Sequence, residues 1–468
     1  MSPPLIISLP YVEDSAYLFE SVRDHAWPIW LDSGRPYSKQ GRYDIIVADP
    51  IATVVTSGDT TTITQAGEVI RSQADPTALL WPWLNPTVLS HSDAPFAGGA
   101  VGYFGYDLAR RFERLPNRAT EAERIPEMAI GIYNWAVVVD HEKRTATLAS
   151  SSPTPETIAQ QDQLVKLFSS RQQDRHTVPF HLLSDVAANL DLDDYAVRFN
   201  KLKRYITDGD CYQVNLTRRF SARAGGDPWT AYRNLRRGNP APMGAYLQLP
   251  FVQVLSSSPE GFLKVRDGQV ETKPIKGTRP VRNEATANAN EICELKASHK
   301  DRAENVMIVD LMRNDLGKVC EAGSVRVPKL FEVESFATVH HLVSTVTGTL
   351  RKDRDAIDLL RACFPGGSIT GAPKLRAMEI VEELEPHRRG LYCGAIGYIG
   401  RDGAMGLNIA IRTLVYSEGQ VRFWAGGGIV ADSVMESEFQ ETLDKAQALL
   451  RLLQQGPRVP QNETDNAS

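Results

Sequence analysis

Apolar residues along the chain follow two periods, one typical of strands and one typical of helices. In the first 150 residues, continuous apolar runs at 43–50 and 136–140 predict buried strands. Further along, apolar positions spaced three and four apart predict helices. The predicted helices span 193–208, 299–318, 374–384 and 435–454. Strands and helices mixed in this way predict an α+β fold.

Local composition divides the chain into four stretches. Residues 1–150 form a strand-rich N-terminal region, and residues 151–190 form a connecting segment that begins rich in Ser, Thr, Pro and Gln. Residues 191–455 form a second region, which holds most of the candidate chemistry. The tail 456–468 is polar and contains Pro and Asn, so it is predicted to be disordered.

Charge and cysteine usage exclude several classes of protein. The net charge of −5 over 468 residues shows no basic excess, so nucleic acid is not an expected partner. The chain has no apolar run of about 18 residues, and no membrane span is expected. Its N-terminus lacks the basic segment of a signal peptide. Five widely spaced cysteines without a Cys-x-x-Cys motif indicate buried thiols in the reducing cytoplasm.

A lysine in a turn bracketed by Gly and Pro is the strongest candidate for chemistry. Lys276 lies in the segment 272–280, which holds Pro274, Gly277 and Pro280. Such a lysine acts as a nucleophile when its amine is neutral. The alternative is a structural turn lysine.

Acidic residues are paired at a spacing of three on two predicted helices. Asp301 and Glu304 share one face of helix 299–318, while Glu438 and Glu441 lie beside an apolar stripe at 439, 443, 446, 450 and 453 of helix 435–454. Carboxylate oxygens are ligands for Mg²⁺. The alternatives are ion pairs with Lys300, Arg302 or Arg313 for the first pair, and a solvated helix face for the second.

Glycine-rich turns precede both of the last two helices. The turns at 365–374 and 425–430 expose backbone N–H groups that favour an anion. A strand predicted over 408–413 would place Asn408, Ala410 and Arg412 on one face, where Arg412 is a candidate carboxylate clamp or an ordinary structural arginine.

Ordered motifs across the second region resemble the chorismate-utilising enzymes, a family that includes anthranilate, isochorismate, salicylate and aminodeoxychorismate synthases. The N-terminal residues 31–34 and 43–50 are similar to the aminodeoxychorismate branch, so the resemblance covers nearly the whole chain. The motifs are Ser-Pro-Glu at 258–260, Pro-Ile-Lys-Gly-Thr at 274–278, Asp-Arg-Ala-Glu-Asn at 301–305, Asp-Leu-Met-Arg-Asn-Asp at 310–315, Gly-Ala-Pro-Lys-x-Arg-Ala-Met at 371–378, Gly-Gly-Gly-Ile-Val at 426–430 and Glu-x-x-Glu-Thr at 438–442.

The resemblance implies a fold and an activity. The expected fold is a single large α+β unit, in which two stacked, mainly antiparallel sheets form a sandwich flanked by helices. The implied reaction converts chorismate and ammonia to 4-amino-4-deoxychorismate, the precursor of p-aminobenzoate and folate. Lys276 matches the nucleophilic lysine of the aminodeoxychorismate synthases. Gln213 stands where isochorismate and salicylate synthases carry a water-activating lysine.

The resemblance also implies roles for individual residues. Lys276 is the expected nucleophile and Glu260 the expected general acid. Glu304 and Glu441 are the expected Mg²⁺ ligands, with Asp301 and Glu438 as further or water-mediated partners. The expected substrate-binding residues are Gly277, Thr278, His341, Ser368, Tyr392, Arg412 and Gly428.

Two partners follow from the resemblance as well. The chain lacks a glutaminase nucleophile motif, so a separate glutamine amidotransferase subunit is expected to supply ammonia in a heterodimer. Some relatives bind L-tryptophan in the N-terminal region. The positions matching that site are Ser33, Gln40, Gly41, Arg42, Tyr43, Pro242, Met243 and Gly244, of which Met243 and Gly244 depart from the residues expected there.

Overall fold

The structure is a computed structural model that describes residues 5–84, 94–151, 154–170, 177–335 and 339–454. The predicted tail 456–468 lies outside these residues. The strands of the described chain are β1 (Leu5–Leu9), β2 (Ile29–Asp32), β3 (Tyr43–Val47), β4 (Ala52–Ser57), β5 (Thr60–Gln65), β6 (Glu68–Ser72), β7 (Gly99–Phe104), β8 (Met128–Tyr133), β9 (Ala136–Asp140), β10 (Thr145–Ser150), β11 (His181–Leu182), β12 (Ala187–Ala188), β13 (Gln213–Gly225), β14 (Met243–Leu249), β15 (Val252–Ser258), β16 (Gly261–Arg266), β17 (Gln269–Thr272), β18 (Ile275–Pro280), β19 (Arg326–Ser335), β20 (Val339–Thr349), β21 (Gly371–Ala372), β22 (Ala395–Gly400), β23 (Met405–Ile409), β24 (Thr413–Ser417) and β25 (Gln420–Ile429).

Helices lie between and after these strands. The α-helices are α1 (Ala16–Glu20), α2 (Trp81–Leu84), α3 (Pro155–Ser169), α4 (Leu192–Thr207), α5 (Pro228–Gly238), α6 (Ala285–Ala297), α7 (His299–Gly317), α8 (Ala356–Cys363), α9 (Lys374–Leu384) and α10 (Met435–Gln454). Short 3₁₀ turns span Ala78–Leu80, Tyr106–Arg111 and Gly367–Ile369. The four helices predicted from periodicity are confirmed to within a residue at each end.

The strands form two large sheets in which every named strand pair is antiparallel. The first sheet runs β1-β10-β9-β3-β2-β14-β15-β24-β25-β13-β11, with β12 and β21 also paired to β13. The second runs β18-β20-β17-β16-β23-β22-β7-β8-β4-β5-β6, with β19 paired to β20. The predicted α+β fold with two antiparallel sheets is confirmed.

Each sheet takes strands from both ends of the chain. In the first sheet β2 pairs with β14, and in the second β7 pairs with β22. Residues far apart in sequence are therefore joined by main-chain hydrogen bonds in both sheets. Neither sheet can form from the first 150 residues alone.

An apolar core fills the space between the sheets. Ile45 and Leu247 from the first sheet pack with Val101 and Ile396 from the second in one buried cluster. The outer face of the first sheet is covered by α1, α3, α5 and α10, and that of the second by helices that include α7 and α8, whereas α9 packs mainly against β13 of the first sheet. Burial of apolar area at both faces of each sheet stabilises this layered arrangement.

Among the described helices, none combines the length and apolar character that a bilayer crossing requires.

Candidate active site

Glu260 occupies the point where the chain passes from the first sheet to the second. It lies between the end of β15 and the start of β16. Ser258 Oγ donates to the carbonyl of Ile409 at 2.6 Å, and the Ile409 N–H donates to the carbonyl of Glu260 at 3.0 Å. These bonds fix the crossing and hold the Glu260 side chain in a buried position.

A β-bulge places Lys276 on the edge strand of the second sheet. Lys276 pairs with Leu342 and Thr278 with His341, so Gly277 is the extra residue on β18. Gly277 has φ +76°, and a Cβ there would lie 2.8 Å from atoms of both Asp301 and Leu295. The position requires glycine for its conformation and for its close packing against α6 and α7.

Ser368 connects the two residues predicted to do chemistry. Lys276 Nζ donates to the Ser368 carbonyl at 3.3 Å, and Ser368 Oγ donates to Glu260 Oε1 at 2.9 Å. The structure thus brings Lys276, Glu260 and Ser368 together. Ser368 itself is buried in the 3₁₀ turn Gly367–Ile369.

Burial moves the pKa of both titratable groups toward the neutral form. Desolvation lowers the pKa of Lys276, and the Lys445 ammonium lowers it further, whereas Glu304 and Glu260 oppose the shift. Desolvation likewise raises the pKa of Glu260, against the stabilising hydrogen bond from Ser368 and the charge of Lys276. A neutral amine beside a protonated carboxyl suits a nucleophile paired with a general acid.

The carboxylates predicted on α7 and α10 face the same region. A Cβ on Gly427 of β25 would lie 3.2 Å from both Glu438 Oε2 and Glu441 Oε1, so these two carboxylates converge on a glycine cradle. Desolvation raises the pKa of Glu304, and the nearby Lys276 and Lys300 oppose it. Asp301 is partly diverted, because it accepts from Arg279 Nη2 at 3.3 Å.

Two lysines that the sequence analysis did not assign to the site pair with these acids. Lys445 Nζ lies 2.5 Å from Glu441 Oε1, and Lys300 Nζ lies 3.4 Å from Glu438 Oε1. Although burial favours protonation, Lys445 holds the pKa of Glu441 below its usual value. In the sequence, Lys445 follows Glu441 by four residues and Lys300 precedes Asp301 by one. Such spacings are typical of ordinary charge on a helix surface, so they did not indicate a role in the site.

The chemical type of these side chains suits a hard divalent cation. They supply only oxygen donors, which Mg²⁺ prefers, and the side-chain-free surface at Gly427 leaves space beside two of them. Within the described ranges, however, no three His, Cys, Asp or Glu side chains are already arranged as a metal cage. The lysine pairs described above supply positive charge at the same carboxylates.

The predicted substrate-binding residues surround the same centre. Thr278 Oγ1 lies 2.9 Å from His341 Nδ1, and desolvation lowers the pKa of His341 to about 4, which leaves the ring neutral. Tyr392 is buried and stacks on Trp424 of β25, with ring centroids 5.8 Å apart. Gly428 packs against the amide of Gln213, whose Oε1 is buried without a hydrogen-bond partner in the described part of the chain.

The strand predicted over 408–413 is wrong in its second half. β23 ends at Ile409 and β24 begins at Thr413, and Arg412 adopts a left-handed φ of +51° in the turn between them. Its side chain is held by a bond from Nη1 to the Lys445 carbonyl at 2.8 Å. Arg412 therefore reaches α10 from a turn, which alternation along a strand could not indicate.

The buried face of α10 also differs from the predicted stripe. The fully buried residues are Glu438, Thr442, Ala446, Leu449 and Leu453. The predicted positions 439, 443 and 450 are only partly buried. The buried face includes Glu438, whose carboxylate accepts bonds from Lys300 and, at 2.7 Å, from Ser433 Oγ.

The positions matched to a tryptophan site gather at the end of β2. Ser33 lies against Gly41, and Gly244 pairs with Asp32 across β2 and β14. The Met243 carbonyl accepts a hydrogen bond from Asn408 Nδ2 at 2.8 Å, which connects this group to β23 of the second sheet. Other members have different contacts. Arg42 stacks on Tyr43 and pairs with Asp140, Gln40 Nε2 donates to Ser335 O, and Pro242 precedes β14.

Residues 29–451 match the family of chorismate binding enzymes. The chain is 48% identical to aminodeoxychorismate synthase component 1 of Klebsiella aerogenes, over 97% of this chain and 100% of that one. It is 42% identical to anthranilate synthase component 1 of Streptomyces coelicolor, over 76% and 73%. The crystal structure of anthranilate synthase component I from Streptococcus pneumoniae superimposes with a TM-score of 0.77 at 32% identity, over 88% and 93%. The chain belongs to the chorismate binding enzyme family.

The bulge at Gly277 generates a stability prediction. Gly277→Ala should lower the free energy of unfolding for two reasons. A non-glycine residue in the left-handed conformation costs about 1–2 kcal/mol, and its collision with Asp301 and Leu295 costs about 1–3 kcal/mol more. Gly268→Ala is the matched control, since Gly268 has φ +72° with nothing within 4 Å of an added Cβ. Urea unfolding of both variants measures the difference. An equal loss of unfolding free energy in the two variants would show that crowding at Gly277 does not contribute.

Proposed function

We propose that this chain is the synthase component that converts chorismate and ammonia to 4-amino-4-deoxychorismate, for p-aminobenzoate and folate biosynthesis. The observation that carries the proposal is the amine of the half-buried Lys276, which donates to the Ser368 carbonyl while the Ser368 hydroxyl donates to Glu260. The identity of 48% to a relative named for this activity supports it. Within the family, the lysine at 276 distinguishes this chemistry from that of anthranilate synthase.

The proposed reaction begins with the neutral amine of Lys276. Its Nζ attacks ring carbon two of chorismate, and the carbon-four hydroxyl leaves as water after Glu260 donates a proton. Ammonia then adds at carbon four and expels Lys276, which regains its electron pair on nitrogen. The proton released from the added ammonia restores Glu260. Both groups end in their starting states, so the cycle balances.

Glu304 and Glu441 would hold Mg²⁺, with Asp301 and Glu438 behind them or bound through water. When bound, the ion neutralises and orients the substrate carboxylate. The remaining contacts with the substrate would come from Gly277, Thr278, His341, Ser368, Tyr392, Arg412 and Gly428. The neutral ring of His341 would orient substrate through hydrogen bonds, because burial disfavours its charged form.

Ammonia would come from a glutamine amidotransferase subunit, since the relatives are named as components of a larger synthase. We assign residues 191–455 to the catalytic region and residues 1–150 to the part that holds the effector site, with 151–190 connecting them. A cytoplasmic setting fits the five unpaired cysteines.

Two other functions compete with this one. Anthranilate synthase component 1 would eliminate pyruvate after amination, and the identity of 42% to such a relative keeps it in view. A non-catalytic subunit that only binds chorismate or tryptophan is a different class. The complete set of Lys276, Glu260, Glu304 and Glu441 favours catalysis over that second alternative.

Product analysis tests the proposal directly. The purified chain with chorismate, Mg²⁺ and excess ammonium at mildly alkaline pH should yield a product of aminodeoxychorismate mass and no pyruvate. Lys276→Ala should form no covalent adduct in intact-mass spectra and should lose at least about a hundredfold in kcat. Lys273→Ala is the control, since Lys273 is a nearby lysine paired to Glu334 at 3.0 Å.

The outcomes separate the three functions. Anthranilate together with pyruvate would establish the synthase of the competing branch, and unchanged chorismate would favour the regulatory subunit. Full turnover by Lys276→Ala would remove the covalent step while leaving the product assignment standing.

The metal assignment predicts a change in Mg²⁺ dependence. Glu441→Ala should raise the Mg²⁺ concentration for half-maximal activity, and the Kd for Mg²⁺ by calorimetry, at least about tenfold. Glu436→Ala is the control, because Glu436 is exposed on the same helix. An unaltered Mg²⁺ response in Glu441→Ala would take Glu441 out of the metal site.

We also propose that L-tryptophan binds where the ends of β2 and β14 meet, at the positions matched to such a site: Ser33, Gln40, Gly41, Arg42, Tyr43, Pro242, Met243 and Gly244. The convergence of Ser33, Gly41 and Gly244 at this point supports it. Calorimetry with tryptophan should show saturable binding, and phenylalanine should bind at least about tenfold more weakly, because it lacks the indole N–H. No bound tryptophan in natively purified protein, with no heat of binding, would remove the site.

A further inference from the structure

Arg389 is a buried arginine that the proposed chemistry does not use. Its side chain is fully enclosed, and its guanidinium makes hydrogen bonds in three directions. Nη1 donates to the carbonyl of Ile369 at 3.0 Å, and Nη2 donates to the carbonyl of Asn215 at 2.9 Å. The remaining bonds, at 2.7 and 2.9 Å, go to the carboxylate of Glu385. A buried charge satisfied this completely fixes the groups around it.

The Glu385 carboxylate anchors this arginine to the first sheet. It accepts from the N–H and the hydroxyl of Thr217 on β13, at 3.0 and 2.8 Å. Arg389 also binds β13 directly, through Asn215. The ion pair is thus attached to β13, the strand that neighbours the glycine-rich end of β25.

The second attachment of Arg389 lies one residue from the centre of the site. Ile369 follows Ser368, whose hydroxyl binds Glu260 and whose carbonyl binds Lys276. Asn215 Nδ2 also donates to the Ser368 carbonyl, at a long 3.4 Å. Arg389 therefore holds the backbone at the Ile369 carbonyl, one residue after Ser368, and it also binds Asn215, whose side chain donates to the Ser368 carbonyl.

We infer that Arg389, fixed by Glu385, is a positioning residue that sets the location of Ser368 between Lys276 and Glu260. The inference rests on the proposed function for the roles of Lys276 and Glu260. Arg389 touches no reacting atom, so its effect passes through the Ile369 carbonyl and through Asn215. Displacement of Ser368 by about 1 Å is enough to lower a rate roughly a hundredfold.

A double-mutant cycle on kcat tests this inference. Arg389→Lys keeps the charge but cannot reach Ile369, Asn215 and Glu385 together, so kcat should fall about ten- to a hundredfold, with little change in KM. Ser368→Ala should lower kcat by a similar factor. The kcat of the double variant should be no lower than that of the slower single variant. Losses that multiply in the double variant would overturn the inference.

Two further variants separate positioning from folding. Arg236→Lys alters another buried arginine, which is paired to Asp32 and Asp14 and bonds to neither Ser368 nor Arg389, and it should keep wild-type kcat. Should Arg389→Lys fail to fold, the pair Arg389→Met with Glu385→Gln removes both charges together and leaves neither one buried alone. Unchanged kcat in a folded Arg389 variant would also overturn the inference.

The rate is followed as chorismate consumption, which keeps the two proposals distinguishable. A product other than aminodeoxychorismate would defeat the proposed function, but the cycle between Arg389 and Ser368 would still report on positioning. Conversely, aminodeoxychorismate formation with an additive cycle would defeat only the positioning role.

Discussion

The site depends on keeping one lysine out of an ion pair while acidic residues surround it. In the described residues, Lys276 Nζ bonds to a carbonyl, and the nearby Glu441 and Glu438 are paired with Lys445 and Lys300 instead. An ion pair would raise the pKa of the amine and hold it protonated. Because the other lysines take that role, burial decides the pKa of Lys276, and the amine moves toward its neutral, nucleophilic form.

The passage of the chain from one sheet to the other makes this arrangement possible. Glu260 lies at the crossing between the sheets, Lys276 lies on an edge strand of the second sheet, and Gly427 lies on a strand of the first. No single supersecondary unit holds all three. The site exists only when the sandwich is complete, so its groups are fixed by the same packing that stabilises the fold.

Sequence reasoning reached the elements and the motif residues, because each carries a local signal. Helical periodicity located α10 within a residue, and ordered motifs located Lys276 and Glu260. It failed where position depends on distant partners. Arg412 lies in a turn and its side chain bonds to the Lys445 carbonyl, and the buried face of α10 includes Glu438, which accepts from Ser433.

The Arg389–Glu385 pair shows the same limit more sharply. A glutamate and an arginine four residues apart predict an exposed helix pair worth a few tenths of a kcal/mol. Here both are buried beyond the end of α9, and the sequence gives no sign that Asn215 and Ile369 converge there. Only the tertiary structure distinguishes a surface pair from a buried one.

The charges of the site complete the argument for an anionic substrate. Four carboxyls, on Asp301, Glu304, Glu438 and Glu441, face the cations Arg279, Lys300, Lys445 and Arg412. With every carboxyl ionised and Lys276 neutral, these charges cancel. A divalent cation would then make the site net positive, and that charge would attract a dicarboxylate such as chorismate. On this argument substrate binding should depend on the metal more strongly than on any single lysine.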